Sequence, residues 1–225
     1  MSPAFTIYIN RLKVDSYTLE ITLPPQYPAS CKPRVYLSCG GDVSTAARKA
    51  ARSELKRVVE EAELGMECLD VIVSSFAEYL PVLKDSLDDH TRSDSDRKQH
   101  PKLAPSRIKR CVIWSHHLLA TSKRRSIVTW SKELRLGGYS RPGYPGAVFI
   151  EGEEEEVDEF VRRLKELRWQ ALQVRDSKFA DRRVCGQGDG VVEVEGLGDI
   201  AEVLKSNGDG CAEMFLEGMR IGTAA

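Results

Sequence analysis

The stretch Cys111–Glu151, CVIWSHHLLATSKRRSIVTWSKELRLGGYSRPGYPGAVFIE, restricts the possible folds more than any other part of the chain. It opens on a strand-like apolar run from Cys111 to Leu119, too short to cross a bilayer. Ser122 then offers an N-cap, and Ile127, Trp130 and Leu134 recur at helical spacing until Gly137-Gly138. Two short runs, Gly138–Arg141 and Ala147–Glu151, flank Pro142-Gly143-Tyr144-Pro145-Gly146, which is turn chemistry for a hairpin. Downstream, Glu153–Leu167 reads as a second amphipathic helix and Trp169–Val174 as a further strand. The order strand, helix, strand, strand, helix, strand defines a ferredoxin-like split βαββαβ arrangement.

The two helices carry their charges in opposite senses. In the second, Glu153–Glu156 lie at the N-terminus and Arg162, Arg163 and Lys165 towards the C-terminus, with Asp158/Arg162 and Glu159/Arg163 spaced to pair. Helix electrostatics accounts for all of these. The first helix puts Lys123, Arg124 and Arg125 in its first turn, at the positive end of its dipole. Either solvent screens them or an anion meets them. The charge of the whole chain is uneven in the same region. Residues 1–96 hold 11 Lys and Arg against 15 Asp and Glu (−4), residues 97–183 hold 20 against 11 (+9), and residues 184–225 hold 2 against 8 (−6). A basic module between acidic flanks is the pattern expected of an anion-binding domain.

These residues carry a family resemblance. The order HH, SKRRSIVTWSKEL and LGGYSRPGYPGAVFIEG resembles the C-terminal domain of the splicing factor Prp-three, shared with the RWD domain-containing protein two family. The closing GDGCAEMFLEGMRIG, Gly208–Gly222, is similar to that family's last segment. The resemblance implies RNA binding, because in the splicing factor this domain binds small nuclear RNA.

Towards the N-terminus, Phe5–Leu12 and Tyr17–Leu23 alternate as strands, with Asp15-Ser16 near the turn, and Arg34–Ser38 is their next partner. The intervening prolines, Pro24, Pro25, Pro28 and Pro33, rule out a central strand and fix a rigid corner around Tyr27. Ser44 caps a helix whose Ala47, Ala51, Leu55, Val58, Val59 and Ala62 line one face. A second helix carries Leu69, Ile72, Val73, Phe76, Tyr79 and Leu80, with Pro81 at its end. A three-stranded meander, a Tyr-Pro corner and two helices resemble the RWD domain, whose fold is related to ubiquitin-conjugating enzymes. The resemblance implies protein binding, with Tyr27, Pro28 and Pro33 as the interaction corner. Two departures stand out. Four residues, Ala29–Lys32, separate Tyr-Pro from the next proline where the family usually has three. The first strand also starts almost at once, so the family's leading helix is expected to be missing and the N-terminus truncated.

Cys39 invites comparison with a conjugating cysteine. Val35–Cys39 leads through Gly40-Gly41 directly into a helix, which leaves no room for the enzymes' His-Pro-Asn and cysteine-bearing flap, so a structural cysteine is expected. Residues 85–107, with Asp88-Asp89, Ser93, Asp94, Ser95, Asp96 and Pro101, read as a hydrophilic linker. The domains expected are therefore an RWD-like unit over 1–84 and a ferredoxin-like unit with a C-terminal extension over 108–222. The class is α+β throughout.

The six cysteines (31, 39, 68, 111, 185 and 211) are scattered without a Cys-x-x-Cys, so neither a disulfide framework nor a zinc site is indicated. With no secretory pattern and no membrane-length apolar run, a reduced intracellular protein is expected, cytoplasm and nucleus undistinguished. Adjacent His116 and His117, taken as strand residues, point to opposite faces and do not suggest a shared metal ion. No metal and no cofactor is expected. Trp114 and His116 share a strand face, with Phe149 on the other central strand. Such rings either stack RNA bases on an open sheet or are covered by the apolar segments Val191–Glu195, Leu197–Leu204 and Met214–Ile221. Gly186–Gly190 lacks the Lys-Ser/Thr of a phosphate loop and reads as a connection.

The expectation is a non-enzymatic bimodular adaptor. Its RWD-like domain binds an unidentified protein, and its basic domain contacts RNA through Trp114, His116, His117, Lys123, Arg124, Arg125 and Arg141. The alternative is a protein-only adaptor with no RNA ligand.

Overall fold

Alternation in the first forty residues becomes a three-stranded antiparallel meander. Strands β1 (Ile7–Val14), β2 (Tyr17–Leu23) and β3 (Arg34–Cys39) pair in that order, β1 with a bulge between Ile9 and Leu12. The computed structural model describes residues 7–14, 16–40, 43–92, 107–186 and 188–220, with side chains from Ser16 to Pro81 in the first half. The missing leading helix expected from the sequence falls on residues 1–6, outside the described residues. The inward face of β2 presents Tyr17, Leu19 and Ile21 to two helices, α1 (Thr45–Glu61) and α2 (Leu69–Arg92). Ala47, Ala51 and Leu55 of α1 and Ile72, Phe76 and Leu80 of α2 close this core, with the Tyr17 and Phe76 rings edge-to-face at 6.2 Å. Ser44 caps α1 as expected, its Oγ accepting from Ala47 N at 3.2 Å.

Helix α2 does not stop at Pro81. It runs on to Arg92, because the apolar period continues at Leu80, Leu83 and Leu87 and the ring of Pro81 occupies an exposed position. The first eight residues of the expected linker are thus helical, and residues 93–106 lie outside the described residues. The chain divides into two compact units, Met1–Pro101 and Lys102–Ala225.

The second unit is built from β4 (Ile108–Ser115), α3 (Thr121–Glu133), β5 (Gly137–Arg141), β6 (Gly146–Glu153), α4 (Glu154–Glu166) and β7 (Leu172–Ala180). The sheet order β7-β4-β6-β5, with every neighbour antiparallel, is the ferredoxin-like topology read from the sequence. A fifth strand, β8 (Gly190–Glu193), adds in parallel to β5, and α5 (Leu197–Asn207) and α6 (Cys211–Met219) follow. Strand β7 begins three residues later than Trp169 and extends well past Val174, since Asp176–Ala180 pairs with β4 despite its charges, Arg175 falling in a bulge. Gly137 and Gly138 do not terminate α3. Arg135, at φ 52°, makes the left-handed turn, and Gly138 sits in β5 where a Cβ would meet Phe149 O at 2.0 Å.

Alternation along β4 and β6 gives the sheet two buried faces. Cys111, Ile113, Val148 and Ile150 pack under α3 and α4 with Ile127, Trp130, Phe160 and Leu164. Val112, Ala147 and Phe149 pack under α5 and α6 with Ile200, Leu204, Met214 and Phe215. Gly218 admits α6 to this packing, for a Cβ there would lie 2.9 Å from Val112 Cγ1. Buried charges tie the second layer down. Arg110 and Glu151 face each other across β4 and β6, 2.8 Å from Nε to Oε2. Glu151 also accepts from Val184 N and Cys185 N, and Arg110 donates to Arg182 O, Asp209 O and Asp209 Oδ2. On the other face Arg163, fully buried, bonds Glu159 as expected and also Glu133, whereas Asp158 pairs with Lys109 and not with Arg162. Arg162 turns to Glu159 and Glu166 because Lys109 on β4 reaches Asp158 first.

Removing one member of a buried ion pair costs about 3–5 kcal/mol where the other charge is left alone. Asp209 still meets Arg110 at 2.6 Å, so Glu151→Gln is expected to destabilise the second unit by the lower part of that range in a urea titration. Arg110→Met/Glu151→Leu should recover much of the deficit. Unchanged stability in Glu151→Gln would show that the pair does not hold the C-terminal layer.

Candidate nucleic-acid interface

The edge of the sheet at which β4 ends gathers several of the expected residues. Strand β4 stops at Ser115, so His116 and His117 do not alternate across the sheet as the sequence suggests. Instead His116 N donates to Ala171 O at 3.1 Å, and Leu118 exchanges two 3.0 Å hydrogen bonds with Gly143. These bonds draw the His-His segment against the β5–β6 turn. The His116 ring lies 5.5 Å from His117 and 5.9 Å from Tyr144, both near perpendicular, and His117 lies 5.5 Å from Tyr144. The two Nδ1 atoms are 3.2 Å apart. His116 is exposed and so is Tyr144, at 61%. Arg141 braces the turn by donating from Nη1 to Pro145 O at 2.8 Å and from Nε to Glu195 O at 3.2 Å. Tyr144-Pro145 is a cis peptide. Among the described residues no group of three or more His, Cys, Asp or Glu side chains is placed to hold a metal ion.

Helix α3 begins just after this cluster. Its N-cap is Ala120 and Ser122 lies inside the first turn, so no side chain caps it. The three cations expected to face an anion have separate fates. Lys123 donates to Arg168 O and lies 4.2 Å from the centre of the Trp169 ring, and burial there pulls its ammonium below the usual lysine value. Arg124 makes a two-bond fork onto Glu193 of β8, at 2.9 and 2.6 Å. That hydrogen bonding holds the Glu193 carboxyl below its ordinary range, against a smaller opposing effect of burial. Arg125 is the one that stays exposed.

The open sheet face for base stacking is closed. Helices α5 and α6 bury Phe149 completely, and Trp114 packs at the margin of the same cluster with the Arg175 guanidinium 4.7 Å above its ring. Trp114 and His116 therefore do not share an accessible surface. Two residues escaped the sequence reading. Tyr144 was visible as the aromatic tip of a Pro-Gly-Tyr-Pro-Gly turn. Phe179, half exposed on β7 with Arg107 at 3.9 Å and Lys109 at 5.8 Å, lay beyond the expected end of that strand.

In the first unit the Tyr-Pro corner is part of the framework. Tyr27 OH accepts from Cys68 N at 3.0 Å, joining the corner to the start of α2, and burial raises its hydroxyl pKa. Tyr27-Pro28 is cis. Pro33 is buried and offers no docking surface, which removes it from the expected interaction corner. Cys39 lies partly exposed at the end of β3. Burial pushes the thiols of Cys111 and Cys185 up to about 12, which keeps both protonated at neutral pH.

The fold and these sites define a two-domain α+β protein, and comparison with known families assigns each half. Residues 3–80 match the RWD domain, and residues 111–206 match the C-terminal domain of the small nuclear ribonucleoprotein Prp3. The two matches lie in tandem, one in each compact unit, as in the two-domain family that the sequence resembles. Similar solved structures include the dark state of BlrB, a BLUF protein (17% identity over 51% of this chain and 96% of that one, TM-score 0.37). Acylphosphatase from Bacillus subtilis matches at 17% identity over 39% of this chain and 98% of its own, with a TM-score of 0.30. Full-length HypF in its phosphate- and nucleotide-bound form matches at 18% over 42% and 13%, with a TM-score of 0.28. No helix among the described residues is long and apolar enough to cross a membrane.

The Arg124–Glu193 fork yields a pH test. A carboxyl whose folded pKa is lowered contributes stability above its unfolded value and loses it as pH falls through the folded one. Arg124→Ala is expected to lower the melting temperature slightly at pH 7, and the gap to the parent should close below about pH 4, near the ordinary carboxylate range. A gap that is constant down to pH 3 would contradict the pairing.

Proposed function

We propose that the protein is a non-enzymatic, splicing-related adaptor. Its RWD domain binds a protein partner, and its Prp3-type domain contacts RNA at the edge formed by His116, His117, Tyr144 and Arg141, together with exposed Arg125 near the start of α3. The observation that carries this reading is the ring cluster itself. Three rings converge where β4 ends against the β5–β6 turn, and two of them are exposed. Rings of this kind stack on unpaired bases, and nearby arginines meet the phosphates between them. The Prp3 C-terminal family match and the net charge of +9 over residues 97–183 (20 Lys and Arg against 11 Asp and Glu) support the same ligand class.

A protein-only adaptor is the second reading. It is favoured by the internal engagement of Lys123 and Arg124, which takes two of the three first-turn cations away from any phosphate.

The test is affinity for an RNA with a duplex and a single-stranded end, measured with the full chain over a range of salt. His116→Ala/Tyr144→Ala should weaken binding with little change in the salt slope, by about 1–3 kcal/mol for each base no longer stacked. Arg125→Ala should flatten the slope by about 0.7–0.9 for the phosphate no longer neutralised, whereas Arg141, held by Pro145 O and Glu195 O, acts by bracing the turn. Lys123→Ala should change it little. If the parent chain binds no better than a similarly basic control at physiological salt, the RNA reading fails and the protein-only adaptor replaces it.

A further inference from the structure

We infer that the turn between α1 and α2 is a docking surface for a basic, amphipathic protein segment, an inference that rests on the adaptor reading of the RWD domain. The turn presents Leu64 at 57% exposure and Met66 at 61%, and Val71 in the first turn of α2 adds 52%. Within the first unit these are the large apolar side chains left most open to solvent among the described residues. Isolated exposed apolar residues are common, but here three fall within eight positions of the chain, two of them on one turn.

The turn is held rigid from both sides. Gly65, at φ +90°, donates its N–H to Pro28 O at 2.9 Å, and a side chain there would meet nothing within 4 Å. Three residues later, Cys68 N donates to Tyr27 OH. The Tyr27-Pro28 corner thus anchors the turn and fixes where Leu64 and Met66 point. Rigid display limits the ordering entropy a docking partner must overcome.

Charge around the patch identifies the occupant. Residues 60–70, EEAELGMECLD, carry five carboxylates and no Lys or Arg. Glu60 and Glu61 are answered within α1 by Lys56 and Arg57, one turn back. Glu63, Glu67 and Asp70 are all exposed; Glu67 and Asp70 lie at the positive end of α2, which suits a carboxylate, whereas Glu63 follows the negative end of α1. Helix α1 has no basic residue in its last turn; Lys32 reaches its end from the Tyr-Pro corner and donates to Glu60 O, yet Glu60, Glu61 and Glu63 still gather at the negative end of its dipole. A partner that brings lysines or arginines relieves that repulsion while its apolar residues cover Leu64 and Met66. An acidic partner is excluded by the same field.

The full chain is titrated with three fluorescent synthetic peptides of equal length. One has leucines on one helical face and lysines on the other, one replaces the lysines by glutamates, and one replaces the leucines by serines. The first should bind saturably, and the other two at least tenfold more weakly. Leu64→Ser/Met66→Ser and Glu63→Lys/Glu67→Lys/Asp70→Lys should each reduce binding of the first peptide at least tenfold. These substitutions are at exposed positions, and unchanged melting curves verify the fold. Equal binding of the glutamate peptide, retention of binding in Leu64→Ser/Met66→Ser, or no binding of the first peptide overturns the inference. Crosslinking of the full chain to protein partners in cells separates the two readings. Adducts on the RWD domain away from residues 60–71 leave the adaptor standing and sink this surface, whereas the absence of any protein adduct on the RWD domain sinks both.

Discussion

The second domain depends on one buried contact, the Arg110–Glu151 pair between its two central strands. Neither charge is tolerable there alone, because a buried ion without a partner loses its hydration and gains nothing in return. Each is met from several sides. Glu151 caps two backbone N–H groups of the segment entering β8, and Arg110 reaches the loop between α5 and α6. One pair therefore ties the strand core to both parts of the C-terminal extension. The apolar packing of Val112 and Phe149 against Met214 and Phe215 supplies the bulk of the burial, and the charges fix where the layer sits.

That layer decides what surface remains for a ligand. A four-stranded ferredoxin-like sheet leaves one face for aromatic stacking, but here both faces are core. Function is pushed to the edges, where strands stop and backbone groups turn outward. At the end of β4 the Leu118–Gly143 bridge closes the gap between the strand end and the hairpin, which brings His116, His117 and Tyr144 together. The proposed RNA contact is therefore a feature of the sheet's edge and not of its face.

Much of this architecture was legible in residue order. The split βαββαβ follows from the change of apolar period between Cys111 and Val174, and the RWD core follows from Tyr17–Ile21 and the stripes of α1 and α2. What failed did so for local reasons. Strand β7 runs on through Arg175–Lys178 because its partner β4 supplies hydrogen bonds that no side-chain pattern announces. Pro81 reads as a stop, yet the leucines beyond it keep the helical period. Alternation places the His pair on opposite faces only if the strand continues to Leu119, four residues past the end of β4 at Ser115, and beyond that end the period of two no longer applies. Pro33 belongs to the interaction corner by resemblance to the RWD domain, whereas in the structure its side chain is buried.

Helix-dipole reasoning shows where sequence electrostatics runs out. Lys123 and Arg124 sit at the wrong end of α3, a misplacement that invites an external anion as its explanation. Their actual partners are the carbonyl of Arg168 and the carboxylate of Glu193, 45 and 69 residues away in the chain. Glu193 lies on a strand whose existence in this sheet could not be read from α3 itself. A misplaced charge therefore signals a partner without saying whether that partner is internal. At the end of α1 the same signal recurs with the opposite sign, and there the near-sequence cations account for Glu60 and Glu61 only. Glu63 and Glu67 remain on the turn and Asp70 in the first turn of α2, close in sequence to exposed Leu64 and Met66. The presence of apolar surface at the same place is what separates the two cases. An internal partner leaves a helix end covered, as Trp169 and Glu193 cover that of α3, while a binding surface leaves charge and hydrophobe exposed together.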